Sequence, residues 1–365
     1  MEAILSAGPR PTALAARVET ALLEFFASRA AVVDDLGGDY RAAVNALESF
    51  VLRGGKRVRP SFAWTGWLGA GGNPDGADAE SVLRACSALE LVQACALVHD
   101  DIIDASTTRR GFPTIHVEFA ESHRNQGWSG DAHRFGEAVA ILLGDLALAW
   151  ADDMIRDSGI TPAAAARVSP VWSAMRTEVL GGQFLDISGE AGGDESIEAA
   201  LRVNRYKTAA YTIERPLHLG AELAGADPAL VRDYRRFGRD IGIAFQLRDD
   251  VLGVFGDPVV TGKPSGDDLR AGKRTVLFAT ALQRADASDP TAAGLLRNGI
   301  GSDLTDSEVD VLRRAITELG AVDDMEQRIT TLTEGAIAQL HASSATQEAK
   351  EMLTDMAIAA TSRAS

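Results

Sequence analysis

The chain has 365 residues, 46% of them hydrophobic, and a formal net charge of −16 at pH 7. The hydrophobic fraction is large enough for an extensive core. The negative net charge argues against nucleic acid as a partner, because the phosphates of nucleic acid repel so acidic a protein. The two cysteines, Cys86 and Cys95, lie in helical sequence and indicate small core residues in a reducing compartment, not a disulfide framework.

Helical periodicity extends along nearly the whole chain and outnumbers any alternating β pattern, and there is no repeat at a fixed period and no low-complexity tract. We therefore predict an all-α protein with a single domain over 1–365, with flexible residues at both ends. No apolar run is judged to reach the roughly 18 to 20 residues that span a bilayer, and the N-terminus lacks the pattern of a signal peptide. A cytoplasmic protein without stable membrane insertion is expected.

The predicted helices are separated by short turns rich in glycine, proline and aspartate. The polar segment 121–136 is interpreted as an ordered loop or a lid-like insertion. The predicted helices run over 12–36, 40–52, 56–70, 78–105, 135–158, 162–188, 195–205, 207–224, 228–254, 272–285, 304–319, 323–342 and 346–361.

The first motif along the chain is basic and runs over residues 53–60, RGGKRVRP. Its glycines allow the backbone to approach a ligand closely, and Lys56 and Arg59 present two cations about one helical turn apart. A short basic run is weak evidence alone, because most such runs are solvated surface.

The second motif, LVHDDIIDASTTRRG at 97–111, is the most informative. Asp100 and Asp104 share one helical face, with Asp101 turned partly aside. A solvated acidic turn is disfavoured, because the helix before these residues is apolar on almost every side, and buried carboxylates need a charged partner or a metal. Mg²⁺ takes carboxylate ligands and leaves positions for phosphate oxygens, and the planar guanidiniums of Arg109 and Arg110 suit phosphate.

A second acidic helix end lies about 150 residues later, at FQLRDDVLGVFGD. Asp249 and Asp250 follow an apolar stretch, and Gln246 lies about one turn before Asp250. Lys263 and Lys273 come after the motif. Two such acidic ends facing one another form the kind of multi-metal clamp that a departing diphosphate requires. A separate basic run, RYKTA at 205–209, begins another helix.

These residues resemble the trans-isoprenyl (polyprenyl) diphosphate synthases. Five motifs match in the family's order: GGKRVRP, DDIIDASTTRRG, GGQFLD, YKTA and FQLRDDVLGVFGD. The resemblance covers roughly residues 20 to 360 and implies the isoprenoid synthase fold, a helical bundle with a central active-site cavity, and a homodimer. It also implies condensation of an allylic diphosphate with isopentenyl diphosphate.

The resemblance further implies a role for each matching position. Four residues hold isopentenyl diphosphate without a metal: Lys56, Arg59, Gln93 and Arg110. Three carboxylates bind up to three Mg²⁺ ions that bridge the allylic diphosphate: Asp100, Asp104 and Asp249.

The same resemblance implies basic residues around the allylic diphosphate and polar groups beside the allylic carbon. Thr208 and Gln246 favour the developing positive charge, and Gln183 and Asp186 support the lysines. Four residues neutralise the diphosphate: Arg109, Lys207, Lys263 and Lys273.

One position departs from the family pattern. The second acidic motif has Gly253 where the family usually has a third carboxylate. The departure predicts weaker binding of the third Mg²⁺ ion than a complete motif gives.

The residues before Asp100 predict the length of the product. In the family, bulky residues four and five positions before the first aspartate stop chain growth early, and here those positions are Ala96 and Cys95. One helical turn rises about 5.4 Å, roughly one isoprene unit, so the tail is expected to reach Val92 and Leu89. This favours the C20 product, geranylgeranyl diphosphate.

Other functions stay open at this stage. A farnesyl (C15) or longer-chain synthase and a non-catalytic regulatory subunit are the alternatives. A terpene cyclase is disfavoured by the GGKRVRP run and the paired arginines.

Overall fold

The computed structural model describes residues 13–257 and 266–362. Helices make up almost all regular structure in these ranges, which confirms the predicted all-α class. One small exception is a two-residue antiparallel ladder between Thr108–Arg109 (β1) and Phe112–Pro113 (β2). Lys263 and the outermost residues predicted to be flexible lie outside the described residues.

Seven helices form the first half of the chain, and side-chain caps fix where several begin. Asp131 accepts a hydrogen bond from the backbone N–H of Arg134, and Thr161 accepts one from Ala164. The seven are α1 (Ala13–Asp35), α2 (Gly38–Leu52), α3 (Val58–Gly69), α4 (Ala79–Ile103), α5 (Ile115–Asn125), α6 (Ala132–Arg156) and α7 (Pro162–Gly192).

The second half contains a π-helical segment, Asn204–Glu214, between two α-helices. Its wider turn, with i→i+5 bonds, is a form that is frequent at functional sites. The α-helices are α8 (Ile197–Val203), α9 (Arg215–Ala224), α10 (Pro228–Phe255), α11 (Asp267–Arg270), α12 (Val276–Ser288), α13 (Pro290–Gly299), α14 (Asp306–Glu318), α15 (Ala321–Ala342) and α16 (Gln347–Thr361).

Helix α4 is the central element of the largest hydrophobic cluster, where it packs against α1, α3 and α6. Contrary to our expectation, α4 is long and apolar enough to cross a membrane by length and composition. However, 83% of its most apolar window is buried inside the protein, as in the core helix of a globular protein. Burial on all sides of α4 means that its C-terminal carboxylates emerge from the core and not from a solvated face.

Helix α10 joins the two other hydrophobic clusters. Tyr234 and Phe237 pack with α9, α15 and α16, whereas Leu247 and Val251 pack with α12 and α14. Because α10 also packs against the π-helical segment, the second acidic motif is held beside the helix that carries Lys207.

Several predicted elements differ from the structure. Helix α5 was missed because its sequence is polar, and α13 was missed because it is short. The predicted helix 207–224 is divided between the π-helical segment and α9. The segment 121–136 is not one loop: it contains the end of α5 and the start of α6, and only residues 126–131 connect them.

Candidate active site

The carboxylates at the end of α4 are paired with basic residues from two other elements. Asp100 lies 3.2 Å from Nζ of Lys207 and 3.2 Å from Nη2 of Arg109. Nε of Arg109 donates a 2.7 Å hydrogen bond to Asp101, whose side chain is buried. Burial opposes ionisation of Asp100, but the charges of Lys207, Arg109 and Lys273 outweigh it and lower the pKa. Asp100 is therefore an anion with cations already beside it.

The pKa values of Asp101 and Asp104 are raised, unlike that of Asp100. Burial raises the pKa of Asp101 to about 6, because Arg109 offsets only part of the desolvation. Burial and the nearby Asp100 carboxylate raise the pKa of Asp104, and Lys273 offsets that only in part. The end of α4 thus concentrates more negative charge than its neighbours neutralise, which favours a further cation.

Lys207 is held in place by the GGQFLD motif of α7. Its ammonium group donates to Asp186 and lies beside Asp100. A Cβ built on Gly182 would lie 2.2 Å from the backbone nitrogen of Lys207, so only glycine allows α7 to approach the π-helical segment this closely. These two carboxylates outweigh the desolvation and raise the pKa of Lys207, which keeps it charged.

The second acidic motif lies in the last turns of α10. Asp250 is buried, where its carboxylate accepts a 2.9 Å hydrogen bond from Gln246 and a 3.4 Å bond from Asn204. Burial raises the pKa of Asp250 to about 7, and both hydrogen bonds oppose that rise. Asp249 is half-buried on the neighbouring face. Gln246 therefore contacts Asp250, as side chains one helical turn apart can.

Lys273 lies between the first acidic motif and Asp268. Its Nζ lies 3.8 Å from Oδ2 of Asp104, at the end of α4, and 3.9 Å from Oδ1 of Asp268, which follows the second motif. The surrounding carboxylates, Asp268 first, outweigh burial and raise the pKa of Lys273. One ammonium group is therefore shared between the end of α4 and Asp268, and the facing of the two acidic motifs stays a prediction.

The carboxylates fit a divalent ion that also takes ligands from a substrate. Among the residues that the structure describes, no three His, Cys, Asp or Glu side chains are grouped closely enough to hold a metal alone. Yet Oδ2 of the buried Asp101 has no hydrogen-bond partner in the described part of the chain, and the pKa of Asp104 is raised by burial. An oxygen-only, incompletely closed donor set suits Mg²⁺, which keeps water or phosphate oxygens as ligands.

The basic residues around the start of α3 differ in burial. Arg59 is buried, its guanidinium stacks on the Tyr211 ring with 4.1 Å to the centroid, and it donates to Thr212. Within the described residues, Nε of Arg59 has no hydrogen-bond partner. Lys56 is exposed, and partial desolvation lowers its pKa. Arg59 therefore presents a buried, incompletely paired donor beside the π-helical segment.

Arg57 belongs to the core. Its side chain is 3% exposed and pairs at 2.7 Å with Glu90 of α4, whose side chain is 6% exposed. Arg57 also donates to the carbonyl of Val51, which ties the end of α2 to α4. Sequence reasoning missed this pair, because nothing in a run of three basic residues identifies the one that is buried.

Arg110 lies at the turn between β1 and β2. It donates a 2.8 Å hydrogen bond to the backbone carbonyl of Arg53, which links this turn to the glycine-rich loop. A shallow, open depression lies here, lined by Phe50, Arg53, Arg109, Arg110, Phe112 and Pro113. Arg53 lines it with its guanidinium over the Phe112 ring, and the sequence analysis did not select that residue. Gln93 is buried in α4, two turns before Asp100.

The two small residues before Asp100, Cys95 and Ala96, lie on different faces of α4. Cys95 lies 3.8 Å from Nδ1 of His99, which in turn contacts the carbonyl of Ile141 on α6. Burial raises the pKa of the Cys95 thiol to about 12. Ala96 is half-buried and shares the face of Asp100 one turn away. Ala96 therefore lies on the side of the acidic site, whereas Cys95 packs towards α6.

A family model described as polyprenyl synthetase matches residues 41–319. A geranylfarnesyl diphosphate synthase from Aeropyrum pernix is 34% identical over 289 residues, 78% of this chain and 83% of that protein. A geranylgeranyl diphosphate synthase from Methanosarcina mazei is 31% identical over 278 residues, 76% of each chain. The crystal structure of a geranylgeranyl pyrophosphate synthase from Corynebacterium glutamicum, complexed with isoprenyl diphosphate and magnesium, is 49% identical with a TM-score of 0.93. That likeness covers 97% of this chain and 99% of the other.

Proposed function

The chain belongs to the polyprenyl synthetase family, and we propose that it condenses an allylic diphosphate with isopentenyl diphosphate to give an all-trans polyprenyl diphosphate. The observation that carries this proposal is the position of two lysines between acidic groups. Lys207 lies between Asp100 and Asp186, and Lys273 lies between Asp104 and Asp268. Fixed cations beside carboxylates suit a ligand that brings both metal ions and phosphate charge.

The metal ligands in this proposal are Asp100, Asp104 and Asp249, which would hold up to three Mg²⁺ ions. Bound there, Mg²⁺ supplies positive charge that stabilises a departing diphosphate. The raised pKa of Asp104 supports the assignment, because a second carboxylate beside Asp100 is stabilised when a cation lies between them.

Basic residues hold the diphosphate while the allylic carbon–oxygen bond breaks. Arg109, Lys207 and Lys273 neutralise the departing group in place of water, and Lys263, outside the described residues, is assigned the same role by its motif. Thr208, buried in the π-helical segment, and Gln246 lie on the elements that face the site and favour the allylic cation.

A second group of residues holds isopentenyl diphosphate without metal. Arg110 and Arg59 supply guanidiniums for its phosphates, Lys56 adds a flexible ammonium, and Gln93 adds an amide. Among the described residues, Nε of Arg59 has no hydrogen-bond partner, and this supports the assignment. The double bond then attacks the allylic carbon, and the proton that is lost passes to the departed diphosphate, so no histidine is required.

An assay with labelled isopentenyl diphosphate and separate allylic primers tests the function. We expect magnesium-dependent incorporation of label and a C20 product. Protein that binds both diphosphates but incorporates no label would instead support the non-catalytic regulatory subunit.

The proposed product is geranylgeranyl diphosphate. The relatives differ in the chain lengths that their names state, so the length is argued from this chain. Ala96 leaves space on the face of Asp100, and the buried Val92 and Leu89 lie further along the same helix, where they limit the tail.

Replacing Ala96 by phenylalanine is expected to shorten the product from C20 to C15, because the ring fills about one turn of the path that the tail follows. Product sizing by mass spectrometry measures this. Ala96→Ser, which adds one small group, is the matched control and should still give C20. An unchanged distribution in Ala96→Phe would contradict the assignment of Ala96.

A second copy of the chain is the proposed partner protein. Helix α7 exposes Leu180, Phe184 and Ile187, which lie at i, i+4 and i+7 and form one apolar stripe. Helix α6 exposes Ile141 and Leu142. An exposed apolar stripe of this kind is typical of an association surface, and a homodimer is the assembly that the motif resemblance implies.

The double variant Leu142→Arg/Phe184→Arg is expected to convert the dimer to a monomer, measured as a halved mass by light scattering. Both side chains are strongly exposed, at 67% and 68%, so folding should be unaffected. Leu36→Arg, at a position directly after α1 that is 65% exposed, should leave the mass unchanged. A double variant that stays dimeric places the interface elsewhere.

The chain is also proposed to form one domain in the cytoplasm. Helix α10 contributes to two of the three hydrophobic clusters, which supports a continuous core. Cys86 and Cys95 are both buried and free, as suits a reducing compartment.

A further inference from the structure

The second acidic motif lacks a carboxylate at Gly253, yet the space at that position is filled. A Cβ built on Gly253 would lie 1.8 Å from Oδ2 and 2.4 Å from Cγ of Asp268. The Asp268 carboxylate therefore occupies the volume into which any side chain at 253 would project. The two positions are fifteen residues apart in sequence, on α10 and α11.

Asp268 is also fixed relative to Lys273. The backbone N–H of Lys273 donates a 3.0 Å bond to the carbonyl of Asp268, so a tight turn joins the two residues. Their side chains approach to 3.9 Å, and the same ammonium lies 3.8 Å from Asp104 on α4. Asp268 therefore faces the first acidic motif across Lys273, from the side of the second.

We propose that Asp268 supplies the carboxylate that position 253 lacks, and that Gly253 is the residue that admits it. This inference rests on the proposed function. Asp268 completes the acidic wall opposite Asp104 and positions Lys273 over the diphosphate. The weaker magnesium binding expected from Gly253 alone is then offset. The site keeps the negative charge of the missing carboxylate, because Asp268 on α11 provides it in place of residue 253 on α10.

Exchange of the two residues tests the proposal, with inorganic diphosphate and Mg²⁺ as the probe in titration calorimetry. Asp268→Ala is expected to weaken magnesium-dependent diphosphate binding by about 10-fold or more. The double variant Gly253→Asp/Asp268→Ala returns a carboxylate to the vacated space and should recover most of this loss. Gly253→Asp alone should weaken binding, because two carboxylates then compete for one volume.

Two further variants separate charge from packing. Asp268→Asn keeps the shape of the side chain and should bind as weakly as Asp268→Ala, whereas full binding by this variant would indicate a packing role. Asp267→Ala, at the adjacent and similarly half-buried position, is the matched control and should bind normally. Circular dichroism and melting temperature verify that each variant is folded.

Steady-state kinetics provide an independent readout. Asp268→Ala should raise KM for Mg²⁺ and for the allylic substrate more than it lowers kcat, and the double variant should reverse the change in KM. Unchanged binding in Asp268→Ala, or a double variant no better than the single, would overturn the proposal for Asp268. Wild-type protein that neither binds magnesium diphosphate nor turns over would overturn the proposed function itself.

Discussion

Replacing Asp100 by asparagine is expected to lower kcat by about 10³-fold, because the variant loses the negative charge that would hold the Mg²⁺ ions stabilising the departing diphosphate. Asp100 lies where Lys207 and Arg109 converge, and its pKa is lowered although burial opposes its ionisation. Asparagine has nearly the same shape and still accepts a hydrogen bond from Lys207. The melting temperature should therefore change little while turnover falls, and steady-state kinetics with thermal melts measures both.

Asp145→Asn is the matched control for this substitution. Asp145 lies on α6, next to His99 at the end of α4, and its side chain is 66% exposed. The Asp145→Asn substitution removes one negative charge near α4 without changing a residue of the diphosphate site, so turnover should stay normal. If Asp100→Asn also kept near-normal turnover, Asp100 would not be part of the diphosphate site.

Replacing Glu90 by alanine is expected to lower the free energy of unfolding by about 3 to 5 kcal/mol, because it leaves Arg57 charged and unpaired in the core. The two side chains are almost completely buried, so solvent screening is small. Chemical denaturation measures the loss. Activity per folded molecule should be retained, because this arginine, unlike Arg59, contacts α2 and α4 rather than the π-helical segment.

The double variant Arg57→Met/Glu90→Leu distinguishes a lost partner from lost packing. Replacing a buried ion pair by apolar groups of similar volume is often close to neutral, so most of the lost stability should return. The recovery will be incomplete, because the carbonyl of Val51 loses the hydrogen bond that Arg57 donates. A double variant as unstable as Glu90→Ala would show that the ion pair is not what stabilises this contact.

The elements that could be predicted from sequence are those whose periodicity or motif is local. The apolar helix before Asp100 predicts a buried acidic end, and in α4 this holds for Asp101, whereas Asp100 is half-buried and Asp104 is exposed. The two acidic motifs were expected to face one another, and Lys273 lies between Asp104 of the first motif and Asp268, which follows the second in sequence. Such features follow from helical geometry and from the cost of burying charge.

Other features depend on tertiary packing, which local patterns do not encode. The polar sequence of α5 gives little helical signal, although α5 packs on α6. The π-helical segment was predicted as ordinary helix, since one extra residue per turn leaves no clear trace in the sequence. Gly253 was interpreted as a missing ligand, because sequence separation conceals that Asp268 fills the same volume.

The most direct test of the account is a crystal structure of the protein with inorganic diphosphate and Mn²⁺, whose anomalous signal locates the metal. We expect metal peaks between Asp100 and Asp104 at the end of α4 and Asp249 on α10, bridged by a diphosphate that contacts Lys207 and Lys273. Diphosphate bound at another surface, or metal peaks away from both acidic motifs, would contradict it.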